Sequence, residues 1–591
     1  MNISPDATMR RGDHDRGPTM TIRIGNCSGY YGDRLGAMRE MIEGGDLDYL
    51  TGDYLAELTM LILGKDQLKD PALGYARTFV TQIEQSLALA LQRGVRIVAN
   101  AGGLNPAGLA DRIRGVADSL GLSAKVAYVG GDNLTPRAAD LGFGDVLTAN
   151  AYLGAFGIAE ALRAGADIVI TGRVTDASLV VGPAIAAYGW DRTSYDEIAG
   201  ATTAGHIIEC STQATGGNFS GFIELPRDAH PLGFPIAEVD ADGSFVITKH
   251  QGTGGIVSVD TVTSQLVYEI QTTHYLSPDV TTDLTSIRLT QDATDRVRVS
   301  GVRGSEPPET LKVCVNEHGG FRNQMEFVLT GLDIDEKAEW VRTLLDARLA
   351  AAPPQSVTWT LGSRPEPDAA TEEAASCLLR VTVRDPGMAA VSKAFTAAAV
   401  ELALASYPGF NVTTPPGKPS QYGIYRPEYV ARNEVQEKVH LWDGRTIEIE
   451  PSPRTGVRPR PQSAGDLIAA ADFSGPTRAV PLGTLVHARS GDKGGDANVG
   501  VWIGGPDDAR REKRVSWLLI FLTPDRIRKL LPEAAELPVE VYPLPNLGGV
   551  NVLVRGMLGD GVAASTRFDP QAKAVGEWLR SRVVAVPEEL L

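Results

Sequence analysis

The first 200 residues alternate short apolar runs with amphipathic segments. Between the apolar runs, hydrophobic residues recur every three or four positions, as in Phe79, Ile83 and Leu87, which is the spacing of one face of a helix. Strand–helix–strand units of this kind predict a parallel sheet covered by helices on both faces. Four apolar runs are the predicted strands: "TIRIGN" (21–26), "VRIVAN" (95–100), "KVAYVG" (125–130) and "ADIVITG" (166–172).

The pattern changes after about residue 205. The chain first becomes glycine-rich and β-like, and then strands such as "SIRLTQ" and "LLRVTVRD" are followed by helical segments at about 335–351 and 389–406. Four prolines in the twelve residues "PSPRTGVRPRPQ" are typical of a linker. Strands and helices then predict a small α+β domain near the end of the chain.

We therefore predict an α/β protein with several domains, as expected for 591 residues. The N-terminal parallel sheet is followed by an α+β middle unit and by a small C-terminal α+β domain of the ferredoxin-like type. The first residues contain no apolar stretch, so they are not expected to be a signal peptide. The predicted segments are a disordered tail (1–20), an α/β domain with glycine-rich loops (21–270), an α+β domain (271–450), a linker (451–480) and the C-terminal domain (481–585).

Composition narrows the class of protein. The formal charge of −17 and the pI of about 5.1 argue against nonspecific binding to nucleic acid or to anionic membranes. No apolar run approaches the roughly 20 residues that span a bilayer. The four cysteines are far apart, which is neither a disulfide framework nor a zinc-site pattern and is typical of a reducing cytoplasm.

Glycine-bearing polar loops follow the four predicted strands. Ligands bind at the carboxyl ends of the strands in open parallel sheets, so these loops are expected to line one crevice. A single loop of this composition is more often only a turn, but four at one end of a sheet favour a site. No GxGxxG or GxxxxGK[ST] motif is present, which argues against NAD. The residues expected in the crevice are Asn26, Ser28, Asn100, Gly102, Gly103, Asp132, Arg173 and Asp176.

The stretch "GHIIECSTQATGGNF" (205–219) offers acid–base chemistry. His206 and Glu209 are three residues apart and would share one face of a helix, a spacing that suits proton transfer or metal ligation. Eight histidines in the whole chain offer few metal ligands, so we assign no metal site. Cys210 is more typical of a buried, inert thiol. His206 and Glu209 join Asp132 and Asp176 as candidate catalytic residues.

A second glycine-rich stretch, "KHQGTGG" (249–255), has two interpretations. Successive amides around Thr253 and Gly254 can form an anion-binding concavity. The same residues can form an ordinary hairpin turn. Both interpretations stay open from sequence.

The stretch "HARSGDKGGDANVG" (487–500) places charged side chains between four glycines. Arg489 and Lys493 would attract an anion, and Asp492 and Asp496 would orient those cations or transfer protons. We expect a long hairpin or crossover loop between the predicted strands "TLVHARS" and "ANVGVWI". A hairpin needs only one or two glycines, so the surplus indicates a ligand or an interface rather than a self-contained solvent loop.

These motifs resemble the AtuA family, which is named for acyclic terpene utilisation. Together with "YLTGDYLAE" and "TGGIVSVDTVTSQLVYEI" they cover nearly everything from residue 21 to 585. The last hundred residues resemble the family's C-terminal ferredoxin-like domain. The resemblance implies a role in breaking down citronellol- and geraniol-type compounds as CoA thioesters. That route carboxylates a branched enoyl-CoA, hydrates it and cleaves the product to a 3-oxoacyl-CoA and acetate.

The leading hypothesis is a hydratase or lyase of branched acyl-CoA catabolism. Arg173, Lys493 or backbone amides would hold a carboxylate, a phosphate or a developing enolate, and a carboxylate would move the proton. We expect no tightly bound cofactor, CoA only as part of the substrate, and a homo-oligomer; a divalent metal is left open. The alternatives are a noncatalytic scaffold or accessory subunit of an acyl-CoA carboxylase, and a hydrolase of a small phosphate or amide.

Overall fold

The computed structural model describes residues 21–226, 230–457, 459 and 473–591. The predicted tail (1–20) and much of the predicted linker (460–472) lie outside the described residues. The chain forms two compact units. The first comprises Met1–Val315, Pro427–Leu558 and Gln571–Leu591, and the second comprises Asn316–Arg426 and Gly559–Pro570.

A parallel sheet forms the centre of the first unit, as predicted. The sequence missed one of its strands, β2, which lies between β1 and β3 and is only four residues long. Across the sheet the parallel strands are β1 (Ile22–Asn26), β2 (Tyr49–Gly52), β3 (Arg96–Ala99), β6 (Ile168–Thr171) and β4 (Val126–Gly130).

Antiparallel strands extend this sheet at both edges to eleven strands. Some of them come from the segment that was predicted as a separate middle domain. Beside β1 lie β7 (Pro235–Val239), β8 (Phe245–Lys249), β12 (Arg296–Ser300) and β11 (Arg288–Ala293); beside β4 lie β19 (Lys438–His440) and β20 (Thr446–Glu448).

Helices cover both faces of the sheet because successive strand residues point to opposite sides. Val98 packs in one core cluster, whereas its neighbours Ile97 and Ala99 pack in another. Gly94, with φ +70°, ends α3, and the Asn105 side chain caps α4. The helices are α1 (Ala37–Gly44), α2 (Glu57–Lys69), α3 (Arg77–Arg93), α4 (Pro106–Ser119), α5 (Phe156–Arg163), α6 (Ser178–Tyr188), α7 (Tyr195–Ile208) and α8 (Val259–Leu266).

Smaller sheets complete the region up to residue 330. A three-stranded antiparallel sheet contains β9 (His274–Leu276), β10 (Thr281–Asp283) and β13 (Arg303–Ser305). Strand β5 (Thr148–Ala151) pairs with the long strand β14 (Thr310–Thr330).

The second unit is an antiparallel sheet with helices on one face. Alternate residues of its strands, such as Phe327 and Leu379, pack against Val341 and Phe395 of the helices. Its elements, together with β14, are α9 (Ile334–Leu349), β15 (Ser356–Leu361), β16 (Ser376–Asp385), α10 (Met388–Val391), α11 (Lys393–Glu401), β17 (Asn411–Val412) and β18 (Ser420–Ala431).

The C-terminal segment is a ferredoxin-like α+β domain, as predicted. Its four-stranded antiparallel sheet has the order β22-β23-β25-β24. Helix α12 was not predicted from sequence. The elements are β21 (Thr477–Pro481), β22 (His487–Lys493), β23 (Asp496–Trp502), α12 (Ala509–Phe521), α13 (Pro524–Leu530), β24 (Val539–Leu544), β25 (Gly549–Val554), α14 (Val575–Ser581) and β26 (Val583–Pro587).

The expected long loop within residues 487–500 is wrong. These residues are strands β22 and β23 themselves, joined by a two-residue turn at Gly494 and Gly495. Gly494 has φ +67°, the left-handed conformation that a tight turn of this kind needs. The charged side chains were taken as loop residues because the strand pattern is interrupted by glycine.

Candidate active site

Ten charged or titratable side chains meet beyond the carboxyl ends of strands β2 and β6, beneath the hairpin of β22 and β23. We call them the charged cluster. Six of its members were selected from sequence, namely Arg173, Asp176, His206, Glu209, Asp492 and Lys493. Four were missed, namely Asp53, Glu57, Glu269 and Lys573. These side chains are close enough for the charge of one to shift the pKa of another.

Arg173 is the fixed cation of the charged cluster, with only 2% of its surface exposed. Its backbone amide donates to Asp132 Oδ2 at 2.9 Å, and its Nη1 donates to Asp176 Oδ1 at 2.6 Å. Burial would lower the pKa of Arg173, but the interactions with Asp176, Tyr152 and Glu57 together outweigh it and raise the pKa. The guanidinium lies 4.2 Å from the ring centre of Tyr152. The position of Arg173 is therefore set from three sides.

Asp132 positions this arginine rather than standing in the crevice. Its Oδ2 accepts from the Arg173 amide and from Asn150 Nδ2 at 2.7 Å. A Cβ at Gly172 would come within 2.4 Å of Asp132 Oδ1, so only glycine admits this close approach. Burial raises the pKa of Asp132 to about 6. Asp132 was expected to be a catalytic residue, but its carboxylate instead holds the backbone of Arg173.

Asp53 follows the missed strand β2 and is buried. Asn100 Nδ2 donates to Asp53 Oδ1 at 2.6 Å, while Asn100 Oδ1 accepts from the Tyr54 amide at 2.7 Å. Burial raises the pKa of Asp53 well above its usual value, and the Asp176 charge raises it further. The predicted residue Asn100 therefore orients an acid that sequence analysis did not select.

Glu57, at the start of α2, is the ionised carboxylate of the charged cluster. The Tyr152 hydroxyl donates to Glu57 Oε1 at 2.9 Å, and Lys312 Nζ lies 3.5 Å from the same oxygen. Burial would raise the pKa of Glu57, but the charges of Lys312, Arg173 and Lys493 outweigh it and lower the pKa to about 2.

His206 and Glu209 form a pair at the end of α7, as their spacing predicts. His206 Nδ1 lies 3.1 Å from Glu209 Oε1. Within the described part of the chain, His206 Nε2 and Glu209 Oε2 are buried without a hydrogen-bond partner. Burial and the Lys493 charge lower the pKa of His206 to about 4. Burial and the Asp176 charge raise the pKa of Glu209 well above its usual value. Both groups are therefore held in their neutral forms.

Lys493 ends strand β22 and is the unpaired cation of the charged cluster. Its ammonium makes no hydrogen bond or ion pair with any residue that the structure describes. Burial would lower its pKa, but the charges of Glu269, Glu57 and Asp176 outweigh it and raise the pKa. The ammonium thus lies among carboxylates without contacting one, so its donors are available to a ligand oxygen.

Lys573, unlike Lys493, is paired with carboxylates of the charged cluster. Its ammonium lies 3.1 Å from Glu269 Oε1 and 3.7 Å from Asp492 Oδ1, and it donates to the Tyr268 hydroxyl. Burial would raise the pKa of Glu269, but the charges of Lys573 and Lys493 lower it. Burial and the Glu269 charge raise the pKa of Asp492 to about 7.

Arg489 lies on the same face of β22 as Lys493, because strand residues two and four apart share a face. Its guanidinium stacks 4.3 Å from the Tyr268 ring centre and donates to Gln213 and to the Asn218 carbonyl. It is 5% exposed and forms no ion pair in the described part of the chain. Arg489 therefore contributes to the contact between the hairpin and residues 213–268.

Two glycines of the hairpin, Gly491 and Gly500, lie where the hairpin packs closely against residues 267–269. A Cβ at Gly491 would lie 2.6 Å from the Tyr268 ring, and one at Gly500 would lie 2.2 Å from Val267. Asn498 Oδ1 accepts from the Glu269 amide at 2.6 Å, which fixes the same segment. Glycine thus lets the C-terminal sheet approach the chain at 267–269 closely enough for Lys493 to enter the charged cluster.

Asp496 lies outside the charged cluster. Its Oδ2 pairs with Arg555 at 2.9 Å, and its Oδ1 accepts from the Gly556 amide at 2.8 Å. These bonds fasten the start of β23 to the end of β25. The expected part in anion binding or proton transfer is replaced by a structural one.

Asn26, Ser28, Gly102 and Gly103 shape the loops that carry the charged cluster. Asn26 Oδ1 accepts from the Ser28 amide at 3.1 Å, and Ser28 Oγ donates to the Asp53 carbonyl at 3.0 Å. The Gly102 amide donates to the Thr171 carbonyl at 3.0 Å, and Gly103 has φ +51°. These residues hold the backbone near Asp53 and Arg173.

The "KHQGTGG" stretch closes on itself as a turn, but no hairpin forms, because strand β8 is followed by helix α8 and not by a second strand. Thr253 Oγ1 donates to the His250 carbonyl at 2.7 Å, and Lys249 Nζ donates to the Thr253 carbonyl at 2.9 Å. Lys249 also pairs with Asp295 at 3.1 Å. A Cβ at Gly254 would lie 2.3 Å from the His230 carbonyl, so this glycine serves packing.

Two family models match the chain, and together they include every residue of the charged cluster. The family model for acyclic terpene utilisation family protein AtuA matches residues 22–441. This chain belongs to the AtuA family. The AtuA ferredoxin-like domain matches residues 480–585, which include Asp492, Lys493 and Lys573. Membership places the protein in acyclic terpene utilisation.

No curated protein matches the chain, and no solved structure matches it. In the part of the chain that the structure describes, no helix is long and apolar enough to cross a membrane. Among the same residues, no three His, Cys, Asp or Glu side chains are arranged to hold a metal ion. The cytoplasmic location and the homo-oligomer stay predictions.

Proposed function

We propose that this AtuA-family protein is an enzyme of branched acyl-CoA catabolism, a hydratase or lyase that acts on a CoA thioester by proton transfer. The observation that carries the proposal is the unpaired Lys493 ammonium beside the neutral Glu209–His206 pair. A free cation and a protonated acid, held together in a buried site, are two of the groups that such a reaction requires, and a carboxylate base is the third.

In the dehydration direction, a carboxylate removes a proton from the carbon next to the thioester carbonyl. Asp176 suits this step, because one of its oxygens is bound by Arg173 and its side chain is 26% exposed. The electron pair moves into the carbonyl, and Lys493 stabilises the resulting enolate oxygen. Glu209 then donates its proton to the hydroxyl on the next carbon, the C–O bond breaks and water leaves. Hydration is the reverse.

In the lyase version, the same groups act on a 3-hydroxyacyl thioester. A carboxylate removes the proton of the hydroxyl, the neighbouring C–C bond breaks, and a carbonyl forms at the former hydroxyl carbon. The electron pair of the broken bond forms an enolate on the departing fragment. Lys493 stabilises that enolate until Glu209 protonates its carbon. Neither version transfers electrons to a redox cofactor.

The test is turnover of a panel of branched enoyl-CoA, 3-hydroxyacyl-CoA and 3-hydroxyglutaryl-CoA thioesters, followed by mass spectrometry. We expect gain or loss of one water, or cleavage into two acyl fragments. Lys493→Ala should lower kcat/KM by about 10²–10³, the usual loss for one oxyanion donor. Glu209→Gln should lower it by about 10²–10⁴, the usual contribution of a general acid.

The matched control is Lys529→Ala, which removes an exposed lysine of α13 in the same domain and should leave the rate unchanged. Wild-type protein that leaves every thioester intact would contradict the proposal. Lys493→Ala and Glu209→Gln variants that turn over at the wild-type rate would contradict the assigned roles.

A further inference from the structure

A serine and a histidine meet at the other end of strand β22, outside the charged cluster. Ser220 Oγ lies 3.0 Å from His487 Nδ1. The Ala488 amide donates to the same Oγ at 3.3 Å, which leaves the hydroxyl proton to point at the imidazole. Hydroxyl and base are therefore within the reach that proton transfer from a nucleophile requires.

The imidazole of His487 is held in place by two aromatic rings. It stacks on Phe219 with 5.2 Å between ring centres and on Trp502 with 5.4 Å. Stacking on both neighbours restricts rotation of the ring, so Nδ1 stays directed at Ser220.

Asp260 is the third group of the arrangement. Its two oxygens accept from the Trp502 indole at 3.1 Å and from the Gly505 amide at 3.2 Å, which orients the carboxylate. A Cβ at Gly504 would lie 2.8 Å from His487 Nε2 and 2.9 Å from Asp260 Oδ1, so the two atoms face the same point. Burial lowers the pKa of His487, and the Asp260 charge partly restores it.

The surroundings of Ser220 suit an acyl group. The backbone amide of the next residue, Gly221, donates to no group in the described ranges. A Cβ at Gly221 would lie 3.0 Å from His487 Cε1, so glycine alone lets the chain pass the imidazole. Phe222 and Ile223 follow and are 56% and 71% exposed. An unpaired amide suits a developing oxyanion, and the exposed apolar pair suits an acyl chain.

We infer that Ser220 is the nucleophile and His487 the general base of a second, acyl-transfer site that takes esters or thioesters with an apolar acyl chain. Ser220 Oγ attacks the acyl carbonyl while its proton passes to His487 Nδ1. The bond to the leaving alcohol or thiol then breaks, and the leaving group takes that proton. Water, deprotonated by His487, attacks the acyl-serine carbonyl. The bond to Ser220 Oγ then breaks, Oγ takes the proton back from His487, and the acid is released. The site is independent of the proton-transfer reaction proposed above.

The test uses the full chain with a fluorophosphonate probe and with p-nitrophenyl esters of short and medium acyl chains. We expect one covalent adduct, located on Ser220 by peptide mass spectrometry, and release of p-nitrophenol. Ser220→Ala should abolish both signals. His487→Gln should slow labelling by about 10²–10⁴, the usual contribution of a general base.

The matched control is Ser516→Ala, which removes a hydroxyl that donates only to the Glu512 carbonyl at 3.0 Å and should not change labelling. Thermal unfolding of each variant checks that it is folded. An unlabelled Ser220 in folded wild-type protein would overturn the inference. So would an adduct on another residue, or p-nitrophenol release that persists in Ser220→Ala.

Discussion

Glu57→Gln is the substitution whose effect on stability follows most directly from the charged cluster. Burial would raise the pKa of Glu57, but Lys312, Arg173 and Lys493 lower it from 4.5 to about 2. At about 1.4 kcal/mol per pKa unit, this difference corresponds to about 3 kcal/mol of folding stability at neutral pH. A neutral glutamine loses that contribution and leaves three cations with one carboxylate fewer. We expect the variant to be less stable by about 3 kcal/mol.

The pH dependence has a definite sign. A carboxyl whose pKa is lowered in the folded state stabilises the protein fully above its unfolded pKa, here 4.5. The contribution is then lost as the pH falls from 4.5 to about 2. The difference between wild type and Glu57→Gln should therefore shrink to about 2 kcal/mol at about pH 3.5. Urea unfolding followed by tryptophan fluorescence at several pH values measures it.

The matched control is Glu84→Gln. Glu84 pairs with Arg112 at 3.5 Å, and both side chains are about half exposed. Such surface pairs contribute about 0–1 kcal/mol, so this variant should differ little from wild type. If Glu57→Gln were within about 1 kcal/mol of wild type at neutral pH, or if its deficit did not change with pH, the charge argument would be refuted.

Gly491→Ala should destabilise the fold by about 1–3 kcal/mol, because its Cβ would lie 2.6 Å from the Tyr268 ring. The same change at Gly115, in an open position of helix α4, should stabilise by about 0.5–1 kcal/mol; equal urea midpoints for the two variants would contradict the packing argument. Glu269→Gln removes a charge that raises the pKa of Glu209, so the basic limb of the kcat/KM profile should move to lower pH; a limb that moved upward would exclude Glu209 as the acid.

Local patterns predicted most of the N-terminal sheet and six of the ten members of the charged cluster. The strand periodicity located β1, β3, β4 and β6, and their order along the chain placed Arg173 at the carboxyl edge. The spacing of His206 and Glu209 predicted their contact, because residues three apart on a helix are neighbours. These predictions succeeded where the geometry depends on a few consecutive residues.

The missed residues depend on contacts that no local pattern encodes. Strand β2 (YLTG) is as short as β3 and β6 but lacks their continuous apolar run, so it was not recognised and Asp53 was lost with it. Glu269 and Lys573 meet only because the C-terminal sheet packs on residues 267–269. Conversely, Asn26 and Asp496 have the composition of ligand-binding residues, but nearby amides or an arginine occupy their oxygens. Composition cannot distinguish a polar group that is occupied from one that is free.

Because Lys493 lies among acids from the N-terminal part of the chain, the charged cluster can form only late in synthesis. About 280 residues separate Glu209 from Lys493 along the chain. Ribosomes add about 5–20 residues per second, so the acids are made roughly 15–60 s before the cation that lies among them. During that interval the nascent chain carries Glu57 and Glu209 without the C-terminal lysines. Pairing segments so distant in sequence is slow, so the charged cluster stays incomplete until the C-terminal segment has been made and has folded.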